Sequence, residues 1–389
     1  MVEDRPFAVE LTGYLNSAVG VGEAARRYVL ALRSAGVAVL ERDVPLPGRD
    51  AVERGSPSVL VPADGSIACN ILCLNPEQMV PYLEGPDAPR CADRRLIGIW
   101  SWEVDVLPPG WREASRRLSE IWTYSAFSAK LIAPGVDVPV RNIPPPICRP
   151  ALSGERVAGL PDGFRFLLMF DYLSTLERKN PVGAIEAFQR AFRPEDGAAL
   201  VVKSVNARHR PERHGEIVAA CQGRDDIVLI DRTVSSGERD ALLAACDCYV
   251  SLHRSEGHGL PIAEAMQAGK PVVATSYGGN TEFMDDANSY PVAWTPSKVG
   301  LGVEHYPQGA SWAEPDLEHA ARILRVVLDD RDGAARRAAR GRRDVSARLA
   351  PEVVGRQMVA HIAPFTKAHG GGGPRSLFKR FVASRRVAG

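Results

Sequence analysis

Residues 255–275 read SEGHGLPIAEAMQAGKPVVAT, and they combine a loop, a helix and a strand in one short segment. Pro261 suits the first position of a helix, the segment IAEAMQA has high helix propensity, and Gly269 is typical of a helix end. The apolar PVVAT predicts the strand that follows. In an open parallel α/β sheet, the loop before such a helix lies at the carboxyl edge of the strands, where ligands bind.

Strand and helix patterns alternate on both sides of this stretch, which predicts an α/β protein with parallel sheets covered by helices. The apolar runs that predict strands are residues 7–11, 37–40, 70–75, 96–100, 164–170, 198–203, 226–231 and 248–252. A helix is expected from Pro181, with Asn180 as its N-cap. The chain has 389 residues, and a proline-rich passage at residues 138–154 interrupts the alternation. We therefore expect two domains joined by a linker.

Composition excludes several classes of protein. A formal net charge of +1 gives no reason to expect nucleic-acid binding. The seven cysteines show no paired C-x-x-C spacing, so neither a disulfide framework nor a zinc ribbon is indicated. The N-terminus lacks the pattern of a signal peptide, and no apolar run approaches the ~18 residues of a membrane span. We expect a cytoplasmic protein.

The two glutamates of the opening stretch admit three interpretations. A metal site would use His253, Glu256 and His258, but their spacing matches no common zinc signature. A glycosidase-like pair needs two carboxyl groups flanking one bond, whereas Glu256 lies in a loop and Glu264 lies one turn inside a helix. In the third interpretation, Glu264 complements the helix dipole and Glu256 is solvated.

Neighbouring loops favour a ligand site over ordinary surface acids. The loop around Gly257 and Gly259 leaves backbone N–H groups available at a helix N-terminus, which is a typical anion site. A second glycine-rich loop occupies residues 276–283, and a third presents Arg178 and Lys179 just before a helix. All three follow parallel strands and so share one edge. Cations and free N–H groups at one edge suit a diphosphate.

The segment SEGHGLPIAEAMQAGKPVVAT followed by YGGNTEF resembles the donor-site signature of the retaining GT-B glycosyltransferases of family 4, in which seven residues separate two glutamates. The segments FDYLSTLERKNPVGAIEAF, GVGEAAR and IGIWSWEVDVLPPGW are similar to other parts of bacterial members. The resemblance extends over residues 13–288. It implies an α/β protein of the GT-B fold, with two Rossmann-like domains facing each other across a cleft.

We place the domain boundaries from this resemblance and the proline-rich passage. Residues 1–150 form the expected acceptor-binding domain, and residues 151–350 form the nucleotide-sugar donor-binding domain. Residues 351–368 are expected to form a helix that returns to the first domain. We expect residues 369–389 to form a flexible basic tail, since the last twenty residues contain five cations and no acids. This tail is either disordered or a basic amphipathic helix that contacts a membrane surface.

The resemblance also implies residue roles. Glu256 would accept hydrogen bonds from the donor sugar, and Glu264 would hold the ribose. Lys179 would neutralise the leaving diphosphate, with Arg178 in place of the family arginine, because Ser174 occupies that region. The remaining residues expected to bind the donor are Gly257, His258, Gly259, Leu260, Lys203, Arg232, Thr233 and Val234, of which His258 has no assigned role. The first domain would line the cleft with Gly20, Val21, Gly22, Trp102 and Glu103.

The expected reaction is retaining transfer of a sugar from a UDP- or GDP-sugar to a hydroxyl of a glycan, a lipid-linked glycan or a small molecule, without a metal or cofactor. Two alternatives stay open. Gly20, Gly22 and Ala25 match the dinucleotide fingerprint G-x-G-x-x-A, with Glu41 at a strand end, which would suit an NAD-dependent oxidoreductase. However, residues 13–19 separate the strand from the first glycine, where a tight turn is needed. The other alternative is a non-catalytic protein of the same fold that binds a nucleotide sugar.

Overall fold

The computed structural model describes residues 7–52, 67–91, 94–149 and 157–366. Among these residues, two sheets of six parallel strands form the centres of two α/β domains, and a separate antiparallel hairpin adds to the second. The strand orders are β2-β1-β3-β4-β5-β6 and β12-β11-β10-β7-β8-β9. The predicted arrangement of two Rossmann-like α/β domains is confirmed.

The first domain consists of short strands that alternate with helices. Its elements are β1 (Ala8–Gly13), α1 (Gly20–Ser34), β2 (Ala38–Asp43), β3 (Ile67–Cys73), α2 (Pro76–Glu84), α3 (Ala88–Cys91), β4 (Leu96–Trp100), α4 (Trp111–Ser115), β5 (Glu120–Thr123), α5 (Ala126–Ile132) and β6 (Val140–Asn142). Strand β6 lies inside the passage that we expected to be a linker. It pairs in parallel with β5 at the edge of the sheet, where neighbouring prolines remove no ladder hydrogen bond.

The second domain repeats the alternation around a larger sheet. Its strands are β7 (Phe164–Asp171), β8 (Ala198–Val205), β9 (Ile227–Asp231), β10 (Cys248–Ser251), β11 (Val272–Thr275), β12 (Tyr290–Val292), β13 (Trp294–Lys298) and β14 (Ser311–Pro315). Its helices are α6 (Leu176–Lys179), α7 (Pro181–Ala191), α8 (Pro211–Cys221), α9 (Ser236–Ala245), α10 (Leu260–Gln267), α11 (Leu317–Asp329) and α12 (Arg331–Leu349). Helix α10 begins at Leu260, so Pro261 occupies its second position rather than its first.

The last helix, α13 (Pro351–Thr366), packs against α1 of the first domain. Val354, Met358 and Ile362 are buried in the core of that domain. Gly355 permits this close approach, because a Cβ atom there would collide with the carbonyl oxygen of Ala31. The chain therefore crosses from the second domain back to the first.

The β13–β14 hairpin reaches from the second domain to the first. Val299, Ala310 and Trp312 are buried in one apolar cluster with Trp102 and Trp111. Burial of apolar surface at this contact stabilises the two domains against each other. The hairpin therefore contacts both domains.

Candidate functional site between the two domains

Glu256 lies in the loop between β10 and α10, and its side chain is buried against two cations. Lys179 Nζ donates a hydrogen bond to Glu256 Oε1, and Arg178 Nη1 lies 3.3 Å from the same oxygen. Burial alone would raise the pKa of Glu256, but the charges of Lys179 and Arg178 outweigh it and lower that pKa to about 2. The carboxylate is therefore ionised at neutral pH.

The position of Lys179 follows from the junction between α6 and α7. Asn180 adopts a left-handed conformation with φ of 50°, which asparagine tolerates better than most residues. Its side chain accepts a hydrogen bond from Gly183 N at 3.3 Å and donates one to Leu252 O at 2.9 Å. This amide confirms the predicted N-cap and also ties the junction to the end of β10. Lys179 is thereby held beside the loop that carries Glu256.

The buried loop between Glu256 and α10 offers backbone donors. None of the N–H groups from Gly257 to Leu260 donates to another backbone group within the described ranges. Gly259 caps α10 with φ of 86°, a conformation that favours glycine. These N–H groups lie at a helix N-terminus, where the helix dipole also favours an anion.

The second glycine-rich loop supports the first rather than opening toward a ligand. Gly279 N donates to Glu256 O at 2.8 Å, and a Cβ atom on Gly279 would collide with the carbonyl oxygen of Gly257. On the other side, Ser125 Oγ of the first domain donates to the same carbonyl at 2.5 Å. The Gly257 loop is thus held between the two domains.

Glu264 lies on α10 and contacts arginines from both domains. Arg27 of α1 forms an ion pair with Glu264 Oε1, and Arg239 Nη1 of α9 lies 3.6 Å from the same oxygen. Glu23 lies next to this pair and accepts a hydrogen bond from Arg27 Nε at 2.9 Å. The carboxylate predicted to hold the ribose is therefore in contact with the opposite domain.

Lys203, Arg232 and Thr233 come together at the carboxyl edge of β8 and β9, with Val234 half-buried beside them. Lys203 Nζ donates to the carbonyl oxygens of Ser204 and Arg232, both at 2.6 Å. Burial lowers the pKa of Lys203 to about 8. The Thr233 hydroxyl donates to Asp50 of the first domain. The resemblance places the nucleotide base in this region.

Glu103 brings a third carboxylate to the loop that holds Glu256. Its Oε2 accepts a hydrogen bond from the Tyr306 hydroxyl at 2.9 Å, and its backbone oxygen accepts one from Ser255 Oγ at 2.6 Å. A Cβ atom on Gly257 would lie 3.2 Å from Glu103 Oε1. Trp102 is buried, and its ring centroid lies 5.2 Å from that of Tyr306. Glu103 therefore faces the site, and Trp102 supports it from the core.

Residues 158–344 match the model of the family glycosyl transferases group 1. This domain belongs to that family. The whole chain is similar in fold to sucrose-phosphate synthase from Thermosynechococcus elongatus, with a TM-score of 0.66, 15% identity, and coverage of 93% of this chain and 100% of that one. It is also similar to Anabaena HepE in complex with UDP and glucose, with a TM-score of 0.64, 15% identity, and coverage of 92% and 100%. The predicted GT-B fold is confirmed.

Curated relatives include the D-inositol 3-phosphate glycosyltransferase of Xylanimonas cellulosilytica. It is 28% identical over 268 residues, which cover 68% of this chain and 58% of the relative. The chain spans about half the length of the curated relatives that it matches. The resemblance to a bacterial glycosyltransferase is confirmed, while the roles of individual site residues stay predictions.

The glycine pattern in the first domain does not form a dinucleotide site. Gly20 and Val21 begin α1, and residues 14–19 separate this helix from β1, so the first glycine is not in a tight turn. Gly22 allows α1 to approach the preceding loop, because a Cβ atom there would collide with the carbonyl oxygen of Tyr14. The oxidoreductase hypothesis therefore has no structural basis in this loop, and the fold of the chain is that of the glycosyltransferases.

Histidines near the Gly257 loop serve its packing. His253 Nδ1 lies 3.0 Å from Ser251 Oγ, and His253 Nε2 lies 2.9 Å from the carbonyl oxygen of Tyr277. His258 is buried, with its ring centroid 5.3 Å from that of Phe283. Burial lowers the pKa of His258 to about 3, so the ring is neutral. In the part of the chain that the structure describes, no group of His, Cys, Asp and Glu could hold a metal ion.

Sequence patterns do not identify several residues of the site. Arg27, Ser125 and Tyr306 contact Glu264, Gly257 and Glu103 respectively, in each case across the domain interface. Arg27 sits in a helix pattern with nothing to distinguish it from Arg26, its neighbour. Ser125 carries one local signal, since it is the N-cap of α5, but that signal indicates only a helix start.

Proposed function

We propose that this protein transfers a sugar from a nucleoside-diphosphate sugar to a hydroxyl group of an acceptor. The observation that carries the proposal is the buried Glu256 carboxylate, paired with Lys179 and Arg178 beside a loop with unused backbone N–H groups. A carboxylate accepts hydrogen bonds from sugar hydroxyls, whereas cations and N–H groups suit a diphosphate. The site therefore has complementary groups for both halves of the donor.

During transfer, the bond from the anomeric carbon to the β-phosphate oxygen breaks and a bond to the acceptor oxygen forms, so negative charge builds up on the diphosphate. The acceptor hydroxyl gives up its proton, which the leaving diphosphate can take. Lys179 and Arg178 are placed to stabilise that charge, as a bound metal ion does in other enzymes. Glu256 stays ionised because its pKa is about 2, and it can therefore orient the sugar throughout the reaction. We propose a metal-independent reaction with retention of anomeric configuration, as the family resemblance implies.

The nucleotide would lie along the carboxyl edge of the second sheet. Glu264 offers two acceptor oxygens for the two hydroxyls of a ribose. The base would lie near Lys203 and Thr233, next to Asp50 of the first domain. UDP is the first nucleotide to test, because the similar Anabaena protein was crystallised with UDP and glucose.

The acceptor would bind on the side of the first domain, near Glu103. A glycan, a lipid-linked glycan and a small-molecule hydroxyl are all consistent with this proposal. Within the described ranges, no helix is both long and apolar enough to cross a membrane. The basic tail at residues 369–389 lies outside those ranges, and its peripheral membrane contact stays a proposal.

A thermal-shift panel tests the proposed donor. A ligand that binds only the folded state stabilises it by about 2.7 kcal/mol at a concentration of 100 Kd. UDP, GDP, ADP and dTDP, each with and without an attached sugar, should therefore give different melting temperatures, and one base should dominate. Addition of EDTA should leave this shift unchanged. Absence of a shift with all four nucleotides and their sugars would contradict the proposal.

A further inference from the structure

Arg27 is a buried arginine of the first domain whose guanidinium reaches the carboxylate of Glu264 in the second. Its Nε donates to Glu23 Oε1 at 2.9 Å, its Nη1 donates to Pro146 O at 3.3 Å, and its Nη2 pairs with Glu264 Oε1. The side chain is only 5% exposed. Two of its three nitrogens are thus anchored independently of Glu264.

Charged groups of both signs surround Arg27. Arg26 Nη2 lies 2.8 Å from Glu23 Oε2, and Arg239 Nη1 lies 3.9 Å from Glu23 Oε1 and 3.6 Å from Glu264 Oε1. Arg239 Nη2 also lies 3.4 Å from Asp240 Oδ1, so among these described groups three arginines face three carboxylates. A buried guanidinium such as that of Arg27 is stable only while a carboxylate or another anion pairs with it. The cluster lies beside the carboxylate that is proposed to hold the ribose of the donor.

We propose that Arg27 is a nucleotide-binding residue that changes partner, from Glu264 in the empty site to the diphosphate of the donor in the occupied site. This inference rests on the proposed function, since it assumes that Glu264 holds the ribose. Ribose hydroxyls donate to a carboxylate, so they compete with Arg27 for Glu264. The displaced Nη2 then needs an acceptor, and the phosphates attached to C5′ of the same ribose are the nearest anions.

If Arg27 changes partner in this way, loss of its guanidinium should affect binding of a nucleoside and of a nucleoside diphosphate differently. A nucleoside has a ribose but no phosphate, so it must displace Arg27 and offers it nothing in return. A nucleoside diphosphate also displaces Arg27 from Glu264, but its phosphate then accepts a charge-assisted hydrogen bond from the guanidinium. Such a bond contributes enough to change a dissociation constant by about tenfold or more. Removal of the guanidinium should therefore weaken binding of the diphosphate and should not weaken binding of the nucleoside.

The test measures Kd by calorimetry for wild type, Arg27→Gln and Arg27→Lys, with UDP, GDP, ADP and dTDP and with the four matching nucleosides. Arg33→Gln is the matched control, because Arg33 lies on the same helix and pairs with Glu41, at 2.8 Å, rather than with the site. Melting temperatures of the ligand-free proteins show that each variant is folded. Arg27→Lys keeps the positive charge and provides a second readout if Arg27→Gln does not fold.

We expect Arg27→Gln to raise the Kd of the bound diphosphate about tenfold while the Kd of its nucleoside falls or stays constant. Arg27→Lys should raise the Kd of the diphosphate less, and Arg33→Gln should change neither the Kd of the diphosphate nor that of the nucleoside. If Arg27→Gln weakens binding of the diphosphate and of the nucleoside equally, the proposed exchange of partners is wrong. The same holds if binding of both ligands is unchanged. Either result leaves the proposed function intact. If wild type binds none of the four diphosphates, the proposed function fails and this inference fails with it.

Discussion

Replacement of Glu256 by glutamine removes one negative charge from the site with almost no change in shape. In the wild-type protein, that charge balances the positive charges of Arg178, which is buried, and of Lys179, whose side chain is 17% exposed. Burial lowers the pKa of Lys179, while Glu256 counteracts the lowering. Glu256→Gln should therefore lower the pKa of Lys179 further, and the proposed sugar transfer should be lost at a lower alkaline pH than in wild type.

The size of the catalytic effect follows from the hydrogen bonds to the donor sugar. A hydrogen bond to a charged group contributes about 1.5–3 kcal/mol, and a neutral one contributes about 0.5–1.5 kcal/mol. With two sugar hydroxyls on the carboxylate, the loss in Glu256→Gln is about 2–3 kcal/mol. This corresponds to a decrease in kcat/KM of roughly 30- to 160-fold, because Glu256 contacts the sugar both in the bound donor and in the transition state. Binding of the nucleoside diphosphate alone should be unchanged or tighter, because it lacks the transferred sugar that Glu256 is proposed to contact.

The assay compares kcat/KM for sugar transfer or donor hydrolysis with the Kd of the product nucleotide, over a pH range. Glu186→Gln is a suitable control, because Glu186 lies on the surface of α7 and pairs only weakly with Arg190 at 3.5 Å. A kcat/KM within threefold of wild type would refute the assigned role of Glu256. Loss of nucleotide affinity equal to the loss of kcat/KM would refute it as well, since the residue would then act on the whole site.

Three further predictions concern other parts of the molecule. Glu264→Ala should raise the Kd of the nucleotide about tenfold or more, because the ribose loses a charged acceptor; an unchanged Kd in calorimetry would contradict the ribose assignment. In the folded protein, burial lowers the pKa of Lys203 from 10.5 to about 8. The buried charge therefore lowers the free energy of unfolding below pH 8, and this loss disappears as the pH rises toward 10.5. The melting temperature of wild type relative to Lys203→Met should therefore rise between pH 7 and pH 9.5, and a constant difference would exclude the effect. Deletion of residues 374–389 should weaken binding to vesicles that contain anionic lipid, whereas vesicle binding equal to that of the full chain would remove the proposed role of the tail.

Local sequence patterns determined the architecture of each domain. The apolar runs of β7 and β8 and the cap at Asn180 depend on interactions within a few residues or within one sheet. The same reasoning brought Lys179 and Glu256 to one edge, because the carboxyl ends of parallel strands lie together. Their ion pair, across 77 positions of sequence, follows from that topology.

Only the tertiary structure decided how the second domain meets the first. Arg27 and Glu264 are 237 positions apart, and no periodicity or motif relates them. Their contact depends on the relative orientation of two sheets, which is set by the packing of α13 on α1 and of the β13–β14 hairpin on Trp102. The short strand β6 was missed for a similar reason, since its pairing with β5 outweighs the breaking tendency of the nearby prolines.

Glu256 and Glu264 show both what the sequence determines and what only the tertiary structure decides. Their spacing places one in a loop and one in a helix, and this already argues against a matched acid–base pair. The structure adds the charges that surround each carboxylate: Lys179 and Arg178 from the same domain at Glu256, and Arg27 from the opposite domain at Glu264. Patterns of polarity along a chain specify elements and edges, whereas the partners of a buried charge depend on which surfaces the folded domains bring together.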